Sequence, residues 1–224
     1  DNGIPEMSAT NSFTMTVGTK ALAVSSGLTA NNKVYDGSTN ATISSNNVVL
    51  LGAVGVDVVD LSTNGYGASF ARAGVSNGIA VTVSGLTLTG SSATNYTLTQ
   101  PGSLTANITG KALTVSSGIT APNKVYDGST SATINSNSVV LLGVVGVDVV
   151  NLSTNGYGAS FASGGVSNGI AVSVSGLSLS GSSATNYTLT QPVVLAANIT
   201  GKALTVSSGL KANNKVYDMR TSAT

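Results

Sequence analysis

An all-β fold made of tandem Ig-like antiparallel β-sandwich domains is what this chain predicts, and three observations carry the prediction. The sequence repeats itself, its local hydrophobic pattern has a period of two, and turn signals are closely spaced. Residues 20–110 and 111–201 align without a gap, with 75 of 91 positions identical. A third copy opens at Lys202 with KALTVSSGLKANNKVYD. A period of 91 residues is the size of a domain, well above the ~20–50 residues of a solenoid unit. Asn11–Thr19 lines up with Gly102–Gly110 and Val193–Gly201, so residues 1–19 read as the terminal strand of a preceding domain. The expected organisation is 1–19, a terminal strand; 20–110, the first β domain; 111–201, the second; and 202–224, the start of a third. The chain opens at Asp1 with neither a charged start nor an apolar stretch and reads as a segment of something longer.

Within a repeat, Ile79–Thr89 (IAVTVSGLTLT) alternates apolar with small polar residues, as a half-buried strand does. Tyr96–Thr99 and Leu104–Ile108 follow the same rule. Asn64-Gly65 and Asn77-Gly78 lie between such runs and predict hairpin turns, because both residue types tolerate positive φ. No window offers an amphipathic helix, and β-branched residues dominate. About seven strands per repeat are expected. The junction Asn107–Val115 (NITGKALTV) runs from one repeat's last strand into the next repeat's first, with no Pro- or Ser-rich linker. Domains joined without slack predict an elongated, stiff rod. Strands of about twelve residues at ~3.3 Å each suggest roughly 40 Å per domain.

Composition narrows the chemistry. Ser, Thr, Asn and Gly together number 109 of 224 residues, charged residues are 8%, and hydrophobic residues are 41%. That is apolar enough to bury a core and too sparsely charged for a disordered tail. The absence of His, Cys and Trp removes imidazole acid–base catalysis, thiol nucleophiles, Cys/His zinc sites and disulfides. A net charge of +1 without a basic cluster argues against nucleic-acid partners. The longest apolar run, Val139–Leu142 resuming at Val144–Val145, is far short of the ~18–20 residues that cross a bilayer, so no membrane insertion is expected.

Lys33-Val-Tyr-Asp-Gly-Ser-Thr39 and Lys124-Val-Tyr-Asp-Gly-Ser-Thr130, with Ala80–Gly90, Asn95–Leu98 and the closing Ala106–Thr109, resemble the YDG repeat domain of large bacterial surface adhesins of the filamentous-haemagglutinin-like kind. The resemblance spans essentially all of residues 20–201. It implies a tandemly repeated β domain, secreted or displayed at the bacterial cell surface. Residues 1–19 resemble the tail of a cadherin-like or Ig-like domain from such proteins. The third copy departs from the motif, with Met219-Arg220 in place of Gly-Ser.

Several residue groups could carry function. Tyr35, Asp36 and Gly37, with Tyr126, Asp127 and Gly128, read as a turn anchored by a half-buried Tyr and suited to packing between neighbouring domains. Tyr96 and Tyr187 precede a strand where Ig-like folds place a tyrosine corner, its hydroxyl bonded to backbone. Asp57 and Asp148 are weak calcium candidates: Asp60 becomes Asn151 in the second repeat, and calcium takes six to eight oxygens. Lys33 with Asn31, Asn32 and Asp36 supplies the residue types of an isopeptide clamp, but the four lie too close in sequence, and Lys33 reads as solvated. Sequons occur at Asn40, Asn95, Asn107, Asn151, Asn186 and Asn198. The single Thr-x-Thr pair at Thr87 and Thr89, Ser178 and Ser180 in the second copy, makes no ice-binding array. No carboxylate pair recurs to serve a hydroxyl nucleophile.

These readings converge on a non-enzymatic structural stalk, without metal or cofactor, whose partners are neighbouring repeats of the same protein. The alternative is an extracellular filament subunit that polymerises by β-strand addition, through Phe13, Met15 and Val17 at one end and Leu204 and Val206 at the other, with identical subunits as partners.

Overall fold

A computed structural model describes residues 12–192 and 194–222. The fold is all-β: among the described residues the helical content is two 3₁₀ turns, Ala93–Asn95 and Ala184–Asn186. The described residues group into two compact units, one built on residues up to Lys111 and the other on Ala112 onward, with Thr185–Tyr187 grouped with the first.

The first repeat holds eleven strands of two to nine residues. They are β1 (Lys20–Ser26), β2 (Thr29–Ala30), β3 (Lys33–Val34), β4 (Ile43–Ser44), β5 (Val49–Leu51), β6 (Asp60–Ser62), β7 (Gly67–Phe70), β8 (Ser76–Ser84), β9 (Thr87–Thr89), β10 (Tyr96–Thr99) and β11 (Leu104–Thr109). One sheet has the order β10-β1-β5 and another β3-β11-β8-β7; β2 pairs with β4 and β6 with β9. The sheets are small and curl like half-barrels. They are also mixed, where the sequence reading expected antiparallel pairing throughout. β1 runs parallel to β10 (Lys20 opposite Tyr96), and β3 parallel to β11 (Lys33 opposite Ile108). Parallel neighbours must be separated by a long connection, and here nearly the whole repeat separates them.

The second repeat rebuilds this plan with β12 (Lys111–Ser117), β13 (Lys124–Val125), β14 (Val140–Leu142), β15 (Asn151–Ser153), β16 (Gly158–Phe161), β17 (Ser167–Ser175), β18 (Ser178–Ser180), β19 (Tyr187–Thr190) and β20 (Leu195–Thr200). Its sheets are β14-β12-β19, β13-β20-β17-β16 and β15-β18.

The period-two pattern does what it predicts. Along β8, Ile79, Val81 and Val83 are buried while Ala80, Thr82 and Ser84 face outward. β11 adds Ala106 and Ile108, β7 adds Phe70, and Leu22 of β1 is fully buried. In the second unit Phe161, Ile170, Val172, Ala197 and Ile199 form the matching cluster. Among the described residues no polar or charged side chain is buried.

Two expectations change. Neither Asn-Gly pair closes a hairpin. Asn64-Gly65 joins β6 to β7, which belong to different sheets. Asn77-Gly78 lies inside β8, where two residues oppose Asn107 alone and make a β-bulge, with Gly78 at φ +61°. The most apolar stretch of the repeat is also not its core. β5 is a sheet edge, and Val49, Leu51, Val56 and Val58 are exposed, Val56 almost completely. The matching Val140, Leu142, Val147 and Val149 repeat the pattern.

Residues 12–19 and 201–222 form no strand. Phe13, Met15, Val17, Leu204 and Val206 are all exposed. The terminal strand expected over residues 1–19 falls partly here, and residues 1–11 lie outside the described residues. A strand exists only where another pairs with it.

Gly27 follows β1 at φ +82°, and a Cβ there would run into the Asn47 carbonyl oxygen. Gly55 also has positive φ, +57°, but opens onto empty space. Gly55→Ala should therefore cost only the left-handed penalty of about 1–2 kcal/mol, whereas Gly27→Ala should cost clearly more. Chemical denaturation of the two variants against the parent chain measures the difference.

Candidate functional site: the Tyr-Asp-Gly loop and the tyrosine clasp

β3 is an edge of the four-stranded sheet, and β7 is the other edge. After β3 the chain does not stay beside β11. The Phe70 N–H donates to the Thr39 carbonyl at 2.7 Å and the Ala41 N–H to the Ala68 carbonyl at 3.1 Å, so residues 39–41 run along β7. The Tyr-Asp-Gly loop thus carries the chain from one edge of the curled sheet to the other in four residues.

A lysine holds that crossing. Lys33 Nζ donates to Asp36 Oδ1 (2.7 Å), to the Ser38 carbonyl (2.7 Å) and to Ser38 Oγ (3.1 Å), and it sits 5.5 Å from the centre of the Phe70 ring. Asp36 Oδ1 also accepts the Ser38 N–H at 2.8 Å and its hydroxyl at 3.0 Å. Gly37 turns the chain at φ +78°, a conformation that glycine adopts without strain. The second copy reproduces each contact. Lys124 Nζ reaches Asp127 Oδ1 (2.8 Å), the carbonyls of Ser129 (2.7 Å) and Ser131 (3.1 Å), Ser129 Oγ (3.0 Å) and the face of Phe161. The third copy keeps the Lys215–Asp218 pair at 2.8 Å despite its Met219-Arg220, with Met219 itself at φ +62°.

Lys33 is therefore not the solvated lysine its sequence context suggested. Its side chain is only 17% exposed and its three donors are engaged, because the loop wraps around the ammonium, which also lies over the Phe70 ring. An amine so committed is a structural tie rather than a nucleophile. The motif's tyrosine backbone continues the strand pairing, Tyr35 N–H to the Thr109 carbonyl at 2.9 Å and Tyr126 N–H to that of Thr200 at 2.8 Å. The Tyr35 side chain is buried and that of Tyr126 is 43% exposed.

The second cluster is the tyrosine clasp. The Tyr96 hydroxyl donates to Asp57 Oδ2 and accepts the Val54 N–H at 3.0 Å, while Ser92 Oγ donates to Asp57 Oδ1 at 3.2 Å. The backbone partner is far upstream in sequence, in the loop between β5 and β6. Asp57 raises the Tyr96 pKa by accepting the phenolic proton, an effect that the Val54 N–H opposes. Both oxygens of the calcium candidate Asp57 thus serve as acceptors within the fold. Asp148 holds the matching position, its N–H on the Val145 carbonyl as that of Asp57 is on Val54. Among the described residues no three acidic side chains converge.

Sequence reasoning missed two amides. Gln100 pairs with both backbone groups of buried Leu86, Oε1 accepting its N–H at 3.2 Å and Nε2 donating to its carbonyl at 2.8 Å. Gln191 does the same for Leu177. Asn107, read only as a sequon, accepts the Gly78 N–H at 2.7 Å and donates its own N–H to Asn32 Oδ1 at 2.7 Å. Asn198 repeats both contacts, to Gly169 and Asn123. The one available signal was the recurrence of these residues in both copies.

Two outcomes follow from these contacts. Gln100→Ala leaves a buried N–H and C=O of Leu86 without partners, and a loss of roughly 1–3 kcal/mol in denaturant unfolding is expected. The Lys124 hydrogen bond, seconded by the Ser129 N–H and hydroxyl, draws the Asp127 pKa from 3.8 to about 2. Lys33 lowers Asp36 in the same way. Because the folded value lies below the unfolded one, the loop's contribution is complete above about pH 4 and is lost as pH falls towards about 2. Protection of the Ser129 amide against hydrogen exchange should fall over that window, and Asp127→Asn should flatten the dependence.

Searches of curated proteins and of solved structures gave no match to this chain. The YDG domain matches twice, over residues 18–104 and 109–194. Both matches contain the lysine-held crossing, the first contains the tyrosine clasp, and together they cover most of the sequence: the chain belongs to the YDG domain family.

Proposed function

We propose that the chain is a non-enzymatic stalk segment of a secreted bacterial surface protein, in which stiff Ig-like sandwich domains in tandem hold a binding tip away from the cell. The observation that carries this reading is the connection between the two units: β11 ends at Thr109 and β12 begins at Lys111, so Gly110 alone separates them. No Gly/Ser-rich or Pro-rich linker separates the two repeats. The lysine and aspartate of each motif are spent on holding a loop, and few charges remain elsewhere, which suits an inert spacer whose partners are further repeats of the same protein. The surface location follows from the resemblance to adhesins.

A second reading, a filament subunit with identical subunits as partners, draws on the exposed, unpaired stretches carrying Phe13, Met15 and Val17 and carrying Leu204 and Val206. Such apolar segments can add as strands to a sheet edge of another molecule.

Electron microscopy of the purified chain over a concentration series distinguishes the two. Separate rods of roughly 80–120 Å, from ~40 Å per domain plus the flanking segments, are expected for a stalk. Filaments with an axial repeat near the chain's own length would favour the subunit, and compact particles at every concentration would overturn both.

A further inference from the structure

Each repeat carries two Asn-Gly pairs: Asn64-Gly65 and Asn77-Gly78 in the first, Asn155-Gly156 and Asn168-Gly169 in the second. All four asparagines are exposed, and all four glycines have positive φ, between +61° and +76°. Dipeptide, exposure and glycine conformation therefore do not distinguish them. The glycine N–H does. The Gly78 N–H is held by Asn107 Oδ1 at 2.7 Å, and the Gly169 N–H by Asn198 Oδ1 at 2.7 Å, each inside the β-bulge of a long strand. Gly65 and Gly156 lie in the turn between strands, and among the described residues their N–H groups make no hydrogen bond.

That difference matters because the glycine nitrogen is the nucleophile of asparagine deamidation. Having lost its proton to hydroxide, the Gly65 nitrogen attacks Asn64 Cγ. A C–N bond forms, the side-chain amide nitrogen leaves as ammonia, and a five-membered succinimide closes. Water then adds to either ring carbonyl and opens it to aspartate or isoaspartate. The net change is Asn plus water giving acid plus ammonia, with no oxidant or reductant. A nitrogen whose N–H is bound to an acceptor is harder to deprotonate, and in a paired strand it cannot turn towards the side chain.

We propose that Asn64 and Asn155 are built-in sites of spontaneous isoaspartate formation, one per repeat, whereas the bulges protect Asn77 and Asn168. The two conversions would take the formal net charge from +1 to −1. Isoaspartate would also lengthen the main chain beside Tyr66 and Tyr157, whose hydroxyls accept the Ile43 and Ile134 N–H groups at 3.4 Å. Age would thus be written into each repeat at one fixed turn.

The test is peptide mapping by mass spectrometry of the full chain, incubated in mildly alkaline buffer either folded or unfolded in urea. In the folded chain, conversion at Asn64 and Asn155 is expected to exceed that at Asn77 and Asn168 by about tenfold or more, and in urea the four rates should converge. Equal rates in the folded chain, or faster conversion at the bulges, would overturn the proposal. Asn107→Ala should expose Asn77 alone, with Asn168 in the same molecule as the protected reference. Asn107→Asp, which keeps an acceptor oxygen, should leave Asn77 protected. Acceleration of Asn77 by both variants would point to unfolding of the repeat instead and overturn the role assigned to the hydrogen bond. Asn64→Gln should abolish conversion at that turn.

Discussion

The Lys33 ammonium fastens the loop on which the rest of the repeat depends. β3 is paired to β11 from the far end of the repeat, yet residues 39–41 lie along β7 at the opposite edge of the same sheet. The chain can make that short crossing only over a curled sheet, and only if the polar groups of the turn are satisfied there. One cation on two Ser38 oxygens and the Asp36 carboxylate, set over the Phe70 ring, meets both demands. The parallel pairing of β1 with β10 and of β3 with β11 then brings strands from the two ends of the repeat together. Closing a repeat therefore requires its two ends to meet, in a domain where several strands are only two or three residues long.

With so few charges, the repeat satisfies its backbone by other means. Gln100 completes both hydrogen bonds of buried Leu86, Asn107 fills the gap opened by the β-bulge, and the Tyr96 hydroxyl ties the loop after β5 to the start of β10. Neutral side-chain amides and hydroxyls perform this work without the desolvation cost of burying ions. Such contacts respond little to salt, whereas the lysine–aspartate pairs respond to acid. The abundance of Asn, Ser and Thr is thereby part of the architecture as well as of the surface.

Hydropathy and burial part company in the stretch around β5. Val49, Leu51, Val56 and Val58 form the most apolar part of the repeat and remain exposed, while the core comes from the modest alternation of β8 and β11. An edge strand with one neighbour can bury only the face that meets the core. The same residues exposed at the same positions of both copies show that this belongs to the domain's design and not to one copy's surroundings.

By itself the sequence determined the repeat, the all-β class, the inward face of β8 and β11 and the identity of the YDG motif, because each is written in spacing along the chain. The alternation at Ile79, Val81 and Val83 is local, and so is the Asp-Gly turn. Tertiary structure alone decided which strands are neighbours. The parallel pairs join residues some 76 positions apart (Lys20 with Tyr96), and no local pattern encodes a partner at that distance. For the same reason Asn64-Gly65 became a link between sheets, Asn77-Gly78 a bulge, and Asp57 the acceptor for Tyr96. What a polar side chain does in this fold is set by the backbone that arrives opposite it, and that is decided only when the two ends of the repeat meet.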